Sequence, residues 1–167
     1  MTTAVYPGSF DPAHKGHLDV IVRASHLFER VVVAVSRETR KDALFDVEER
    51  ATVLREATTG LRGVEVVAYD GLTAALARRV GAQVIVKGLR GVEDFAGEAR
   101  QMLMNRHLGD VETVFLMPSP LYAQVSSTLI REVTRLGGDA SAFVPEAVAR
   151  RLAAVAGARP AHSARKR

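Results

Sequence analysis

The chain has 167 residues and no cysteine. Without cysteine there is no disulfide framework, no thiolate ligand for a metal ion and no cysteine nucleophile. Any metal ion would therefore be held by oxygen atoms or by imidazole. Aromatic residues are also scarce, with three tyrosines, six phenylalanines and no tryptophan. So few rings do not favour a surface on which nucleic acid bases stack.

Long apolar runs and a leader segment are missing as well. Apolar residues make up 47% of the chain and charged residues 25%, evenly mixed, and no stretch is long enough to span a bilayer. The first residues lead directly into a strand-like segment, whereas a secretory signal has a basic region followed by an apolar one. We therefore expect a cytoplasmic protein with no membrane partner.

The formal net charge of +4 arises largely at the C-terminal end, at Arg159 and at residues 165–167. This end is rich in Ala, Pro, Ser and Arg and cannot bury enough apolar surface to become ordered. We therefore expect residues 1–156 to form one domain and residues 157–167 to be a disordered basic tail. No aromatic residue lies among these charges, so the sequence predicts no nucleic acid partner.

Five short runs of mainly β-branched residues are separated by segments of helix length. Such apolar runs are typical of parallel strands covered by helices on both faces. The pattern predicts a single-domain α/β fold with a doubly wound, five-stranded parallel sheet of the Rossmann-like, nucleotide-binding type. The predicted strands are residues 3–6, 31–35, 64–67, 84–86 and 113–117.

Helix boundaries can be predicted from capping residues. Asp46 with Glu49 three positions later is a capping box, and Ser126 can begin a helix that ends at Gly137. Pro145 suits the first turn of a last helix.

The most informative motif, His14-Lys15-Gly16-His17, follows the first predicted strand. Glycine lets the backbone approach a phosphate closely, and the start of a helix offers unpaired N–H groups with a positive dipole end. Ligands of doubly wound sheets bind at the carboxyl ends of the strands, where the chain order reverses. The motif therefore predicts a phosphate site there.

Other strand ends contribute residues suited to the same anion. Lys41 follows the second strand, Lys87 and Arg90 follow the fourth, and the Ser126 helix start follows the fifth. Together they can neutralise several phosphate charges, and Arg90 can bind two oxygens at once. We infer a site for a nucleoside triphosphate.

Four further stretches, in this order and spacing, resemble the phosphopantetheine adenylyltransferases of the HxGH nucleotidyltransferase superfamily. The resemblance covers nearly all of residues 5–155. It implies transfer of AMP from ATP to 4'-phosphopantetheine, giving dephospho-coenzyme A and pyrophosphate. It also implies Mg²⁺ bound mainly through the ATP phosphates, and a homohexamer. The stretches are residues 6–12, residues 45–50, residues 87–90 with Asp94 and Phe95, and residues 104–108.

The resemblance also implies roles for individual residues. His17 would contact the α-phosphate and stabilise the transition state, with Lys41 and Arg90 as further catalytic residues. The implied ATP contacts are Ser9, Phe10, His17, Gly88, Leu89, Arg90, Glu98, Tyr122, Ala123, Gln124, Val125, Ser126, Ser127 and Thr128. The implied contacts of the acceptor are Ser9, Lys41, Leu72, Thr73, Lys87 and Asn105.

The chain departs from the family pattern at a few positions. His14 replaces the usual threonine, and it either tunes the phosphate site or caps the loop. Gly97 replaces an aromatic residue, Gln124 stands where an aromatic residue is common, and Thr73 stands where leucine or methionine is typical. We expect these changes to affect affinity or inhibition, and not the reaction itself.

Two other classes of function are compatible with parts of this pattern. The superfamily motifs alone would also suit a nucleotidyltransferase with another acceptor, such as nicotinamide mononucleotide, FMN or a sugar or glycerol phosphate. A nonenzymatic nucleotide sensor could use the same fold. An aminoacyl-tRNA synthetase also uses HxGH, but this chain lacks room for its remaining parts.

Overall fold

A computed structural model describes residues 2–38 and 41–157 of the chain, without the side chains of Glu93, Ala156 and Gly157. Residues 158–167, the main part of the predicted basic tail, lie outside the described residues. The strands are β1 (Thr3–Gly8), β2 (Arg30–Ser36), β3 (Val64–Tyr69), β4 (Val84–Gly88) and β5 (Glu112–Leu116). The α-helices are α1 (Lys15–Leu27), α2 (Val47–Ala57), α3 (Thr73–Val80), α4 (Val92–Gly109), α5 (Ser127–Arg135) and α6 (Glu146–Gly157), and 3₁₀ turns cover Pro120–Tyr122 and Ser141–Phe143.

The five strands form one parallel sheet in the order β3-β2-β1-β4-β5. This confirms the predicted doubly wound parallel sheet. The central run of β2, residues 31–35, is completely buried because helices cover both faces of the sheet. The chain order reverses between β1 and β4, so their carboxyl ends form the crevice where such sheets bind ligands.

The helix caps follow the local sequence signals in most places. Asp46 and Glu49 form a reciprocal capping box at the start of α2, with Asp46 accepting from the Glu49 N–H at 2.8 Å. Ser126 caps α5 by accepting from the Leu129 N–H at 3.1 Å. Pro145 lies immediately before α6 and not inside its first turn, and its carbonyl accepts hydrogen bonds from the Val148 and Ala149 N–H groups.

Helix α4 leaves large apolar side chains exposed, among them Phe95, Leu103 and Met104. Val114 and Met117, from the edge strand β5 and the residues after it, are also exposed. Apolar side chains in such number on neighbouring elements are typical of a surface that another protein chain covers. Across the described residues, no helix combines the length and the apolar character that crossing a membrane requires.

Candidate active site

A cavity of about 310 Å³ opens at the carboxyl ends of β1 and β4. Its walls come from the loop after β1, the start of α1, the end of β4, α4 and the start of α5. Residues predicted as site residues that line it are Ser9, Phe10, His17, Lys87, Gly88, Arg90, Glu98, Tyr122, Ser126, Ser127 and Thr128.

The two histidines of the HxGH motif cap helix α1 reciprocally. The backbone N–H of His17 donates to His14 Nδ1 at 3.3 Å, and the backbone N–H of His14 donates to His17 Nδ1 at 3.2 Å. The two rings stack with their centroids 3.6 Å apart and their planes inclined by 24°. A Cβ at Gly16 would lie 3.0 Å from His14 Nδ1, so the glycine leaves room for the pair. His14 is therefore the capping residue at the start of α1, in the loop after β1 (residues 9–14) that the sequence predicts to bind phosphate and that is called the phosphate loop below.

These hydrogen bonds determine where the protons lie on both rings. Each Nδ1 accepts a hydrogen bond, so a neutral ring carries its proton on Nε2. Burial, together with a smaller effect of the nearby charge of Arg90, lowers the pKa of His14 to about 4. Burial, His14 and Arg90 together lower the pKa of His17 well below its usual value. At neutral pH both side chains are therefore uncharged donors through Nε2–H.

Phe10 supports His17 from the core side. Its backbone is left-handed, with φ 49°, and its side chain is only 1% exposed. The ring packs edge-on against His17 at 5.0 Å and against Tyr6 at 5.4 Å. The main observed role of the Phe10 side chain is thus to hold His17 in place, although Phe10 also lines the cavity.

Lys87 at the end of β4 pairs with α4. Its Nζ lies 3.1 Å from Glu98 Oε2 and donates to Gln101 Oε1 at 3.0 Å. Because its charge is balanced by Glu98, the ammonium is held in the cavity wall. In this arrangement Glu98 is placed to orient Lys87.

Arg90 makes a two-point pair with Asp94, one turn later. Its Nε donates to Asp94 Oδ2 at 2.9 Å and its NH2 donates to Oδ1 at 3.0 Å. A further bond of 3.4 Å runs from NH1 to the Val125 carbonyl. The hydrogen bonds from Arg90 lower the pKa of Asp94, so the carboxylate stays ionised. Asp94 thus fixes the guanidinium at the cavity rim, a role that the sequence reasoning did not assign.

The start of α5 lines the cavity with Ser126, Ser127 and Thr128. Ser127 Oγ donates to the Pro12 carbonyl at 2.9 Å, which joins this helix to the loop after β1. Arg131, one turn further on, lines the cavity with a buried guanidinium that donates to the Asp11 carbonyl and to Thr128 Oγ1. Sequence reasoning missed Arg131, although its position one turn after Ser127 on a predicted helix was a usable signal.

A second, more open cavity of about 570 Å³ adjoins the first. The two share Pro7, Gly8, Ser9 and Lys87. Thr73 lines the second cavity and shares a hydrogen bond of 3.1 Å with the Tyr69 hydroxyl. Ser9 and Lys87 therefore lie where a ligand could pass from one cavity to the other.

Several predicted site residues line neither of these two cavities. Lys41 is exposed, next to residues outside the described ranges, and Leu72 is 59% exposed at the start of α3. Their proposed contacts stay predictions, as do those of the remaining residues of this group, which are Leu89, Asn105, Ala123, Gln124 and Val125.

Gly97 lies on α4 beside open space. Apart from its chain neighbours and the backbone of its own helix, a Cβ at this position would meet no described atom within 4 Å. The effect of Gly97 on ligand affinity stays a prediction.

Two solved structures illustrate the similarity in fold. A putative nicotinate-nucleotide adenylyltransferase from Vibrio parahaemolyticus superimposes with a TM-score of 0.66 at 21% identity, covering 92% of this chain and 99% of the other. A bifunctional NMN adenylyltransferase/ADP ribose pyrophosphatase from Francisella tularensis gives a TM-score of 0.68 at 14% identity, covering 93% and 51%. These likenesses show the fold.

Sequence comparison then narrows the class. The cytidylyltransferase-like family matches residues 5–133, so this fold and site define a nucleotidyltransferase of that class. Two relatives named phosphopantetheine adenylyltransferase, from Micrococcus luteus and Caldanaerobacter subterraneus, are 52% and 46% identical over 153 residues. These matches cover 91% of this chain and 98% and 96% of the relatives. The chain belongs to the phosphopantetheine adenylyltransferase family.

Proposed function

We propose that this protein transfers AMP from ATP to 4'-phosphopantetheine, giving dephospho-coenzyme A and pyrophosphate, in the cytoplasm where ATP is abundant. The observation that carries this proposal is the pair of adjoining cavities. One is lined by two helix starts, His17, Arg90 and Arg131, which suits a triphosphate. The other reaches it through Ser9 and Lys87 and suits an extended acceptor that ends in a phosphate.

The reaction needs no covalent intermediate. An oxygen of the acceptor phosphate attacks the α-phosphorus of ATP, and the bond from that phosphorus to the bridging oxygen of pyrophosphate breaks. The acceptor phosphate is already anionic at neutral pH, so no strong general base is required. Positioning and neutralisation of charge can supply most of the rate.

His17 is the group best suited to act on the transition state. Its Nε2–H is a donor fixed in direction, because Nδ1 is bound to the His14 N–H. As a neutral ring held by the core, it can donate to an equatorial oxygen of the α-phosphate as charge develops there. The start of α5 together with Arg90 and Arg131 would receive the outer phosphates.

Ser9 and Lys87 would hold the acceptor phosphate, because they lie at the junction of the cavities. Lys87 would then exchange part of its contact with Glu98 for the phosphate. Thr73 would contact the pantetheine arm in the second cavity. Lys41 would approach the transferring group from the segment that leads to α2.

Mg²⁺ fits this site as a companion of the substrate. Among the residues that the structure describes, no group of three His, Asp or Glu could hold a metal ion. The cavity offers mainly cations and N–H donors, which suit phosphate oxygens. We therefore propose that Mg²⁺ arrives on the ATP phosphates, where it supplies charge neutralisation.

The exposed apolar side chains of α4 and the edge strand support assembly of several copies. We propose a homohexamer in which this surface is covered by a second copy, with no nucleic acid or membrane partner. Multi-angle light scattering tests the proposal, and a monomer at micromolar concentration would contradict it.

The deciding assay for the function measures pyrophosphate release from ATP with 4'-phosphopantetheine. Parallel reactions contain nicotinamide mononucleotide, FMN or glycerol phosphate. We expect turnover with 4'-phosphopantetheine alone. Turnover only with another acceptor would replace the proposed substrate, and ATP binding without any turnover would favour a nucleotide sensor.

His17→Ala tests the mechanism. Loss of one donor to the transition state should lower kcat by about 10²-fold or more, with a much smaller change in the Kd of ATP. The control is His26→Ala, which removes an exposed histidine from the same helix. Equal losses in kcat and in ATP affinity would reassign His17 to substrate binding.

A further inference from the structure

The segment between β2 and α2, which carries Lys41, is attached to the phosphate loop near its α2 end. The carboxylate of Asp11 accepts hydrogen bonds from the Leu44 N–H at 3.0 Å and from the Phe45 N–H at 3.0 Å. Asp11 belongs to the loop after β1 and is itself buried. This attachment fixes the backbone three and four residues after Lys41.

A second attachment lies directly next to Lys41. Asp42 Oδ2 is 3.6 Å from Arg131 Nε and 3.7 Å from Arg135 NH1. Arg135 also donates from NH2 to the Asp42 carbonyl. Both arginines lie on α5, the helix whose start faces the main cavity. Asp42 is thus joined to α5 by its side chain and by its backbone.

Arg131 connects this attachment with the cavity. Its side chain is only 4% exposed, and its guanidinium donates to the Asp11 carbonyl and to Thr128 Oγ1. Its Nε is buried and makes no hydrogen bond within the described part of the chain, so its contact with Asp42 is a charge interaction at 3.6 Å. One guanidinium is therefore shared by the phosphate loop, the start of α5 and the segment that carries Lys41.

We propose that Asp42 is a positioning residue that places Lys41 for the transfer step, by holding the neighbouring backbone against Arg131 and Arg135. This inference rests on the proposed function, in which Lys41 approaches the transferring group. Lys41 has a long and flexible side chain on an exposed turn. Fixing the next residue to the triphosphate-binding helix limits where that ammonium can reach.

The same geometry predicts that removing the charge of Asp42 has opposite effects on ATP binding and on the transfer step. Asp42 contributes a negative charge close to Arg131, which also lines the triphosphate cavity. Removing that charge makes the cavity wall more positive and favours ATP in the ground state. Removing it also leaves the backbone next to Lys41 held only by the Arg135 bond to the Asp42 carbonyl, and this looser attachment slows the transfer step.

Asp42→Asn is the first test. We expect kcat to fall by about tenfold or more, while the Kd of ATP, measured by calorimetry without acceptor, stays within about twofold or becomes tighter. Asp42→Glu, which keeps the charge, should recover part of the rate. If ATP affinity and kcat fall together with thermal stability, Asp42 is merely structural and the proposal is wrong.

Arg135→Gln tests the attachment without changing the Lys41-Asp42 peptide bond. The chain has four lysines after which lysyl endopeptidase can cut, and Lys41 is the one in this segment. In Arg135→Gln we expect cleavage after Lys41, measured by mass spectrometry, to be about tenfold faster than in the wild type, because the segment opens more often. The matched control is Arg79→Gln, which removes an exposed arginine from the last turn of α3. Equal cleavage rates in the wild type and in Arg135→Gln would overturn the proposal.

The double variant Asp42→Asn with Arg135→Gln completes the test. Because both substitutions loosen the same attachment, the combined loss in kcat should be smaller than the product of the two single losses, and multiplicative effects would contradict the proposal. If the wild type shows no turnover with 4'-phosphopantetheine, the proposed function fails. Cleavage after Lys41 and the Kd of ATP still report on the attachment in that case.

Discussion

Replacing His14 by threonine should make the protein less sensitive to acid. His14 is 5% exposed, and its Nδ1 accepts the His17 N–H, so the folded protein favours the uncharged ring. The unfolded chain binds a proton on this ring at an ordinary pKa. Acid therefore favours the unfolded state, whereas threonine can cap the helix without titrating.

The magnitude follows from the two pKa values. Burial lowers the pKa of His14 from 6.5 to about 4 in the folded state. Between these values the unfolded state binds more protons, so stability rises with pH and is lost as pH falls below 6.5. Integration from pH 7.5 to pH 5 gives a loss of about 2 kcal/mol from this residue. His14 also lowers the pKa of His17, so its removal reduces acid sensitivity further.

Urea unfolding at pH 7.5 and pH 5, at one fixed protein concentration, measures this effect in wild type and variant. At pH 7.5 the two should differ by no more than about 1 kcal/mol, since threonine replaces one cap by another. Between the two pH values the wild type should lose at least about 2 kcal/mol more than His14→Thr. His26→Thr controls for loss of a histidine from the same helix.

Equal pH dependence in wild type and His14→Thr would refute this reasoning. That result would mean that the folded protein accepts a proton on His14 as readily as the unfolded chain does. The reciprocal capping of the two rings would then be absent in solution, and the assignment of a neutral His17 donor would lose its main support.

Two further predictions concern the backbone and the metal ion. Gly63→Ala should lower the free energy of unfolding by about 3 kcal/mol or more, because its φ is +72° and a Cβ would lie 2.3 Å from the Glu29 carbonyl oxygen. Gly60→Ala is the control, because Gly60 has φ +86° and open space among the described atoms, and it should cost only about 1 kcal/mol. Urea unfolding measures both variants, and equal losses of stability in Gly63→Ala and Gly60→Ala would exclude the steric explanation. EDTA should abolish pyrophosphate release without changing the melting temperature of the ATP-free protein, and a lower melting temperature would instead indicate a metal ion held by the chain itself.

Local sequence signals were sufficient for most of the secondary structure. The β-branched runs became the five parallel strands, and Asp46 and Ser126 became helix caps, because strand and cap preferences depend on near neighbours. The gathering of Ser9, Lys87 and Ser126 at one cavity also followed from sequence, since carboxyl ends of parallel strands share one edge of a sheet. Pro145 was misplaced by one residue, because a helix boundary depends on which carbonyl accepts the first N–H.

The sequence by itself determined the α/β class, the two helix starts at the cavity and the family, because each depends on residue types at fixed spacing. Only the tertiary structure decided which charges meet. The sequence separates Asp42 from Arg135 by 93 positions, yet they lie in contact, and Glu98 holds Lys87. The tertiary structure also showed that His14 caps α1, because its burial and its stacking on His17 can be seen only once the loop after β1 is folded. Coulomb energy and desolvation depend on distances in space, and these arise from the packing of α5, α4 and the phosphate loop around one cavity.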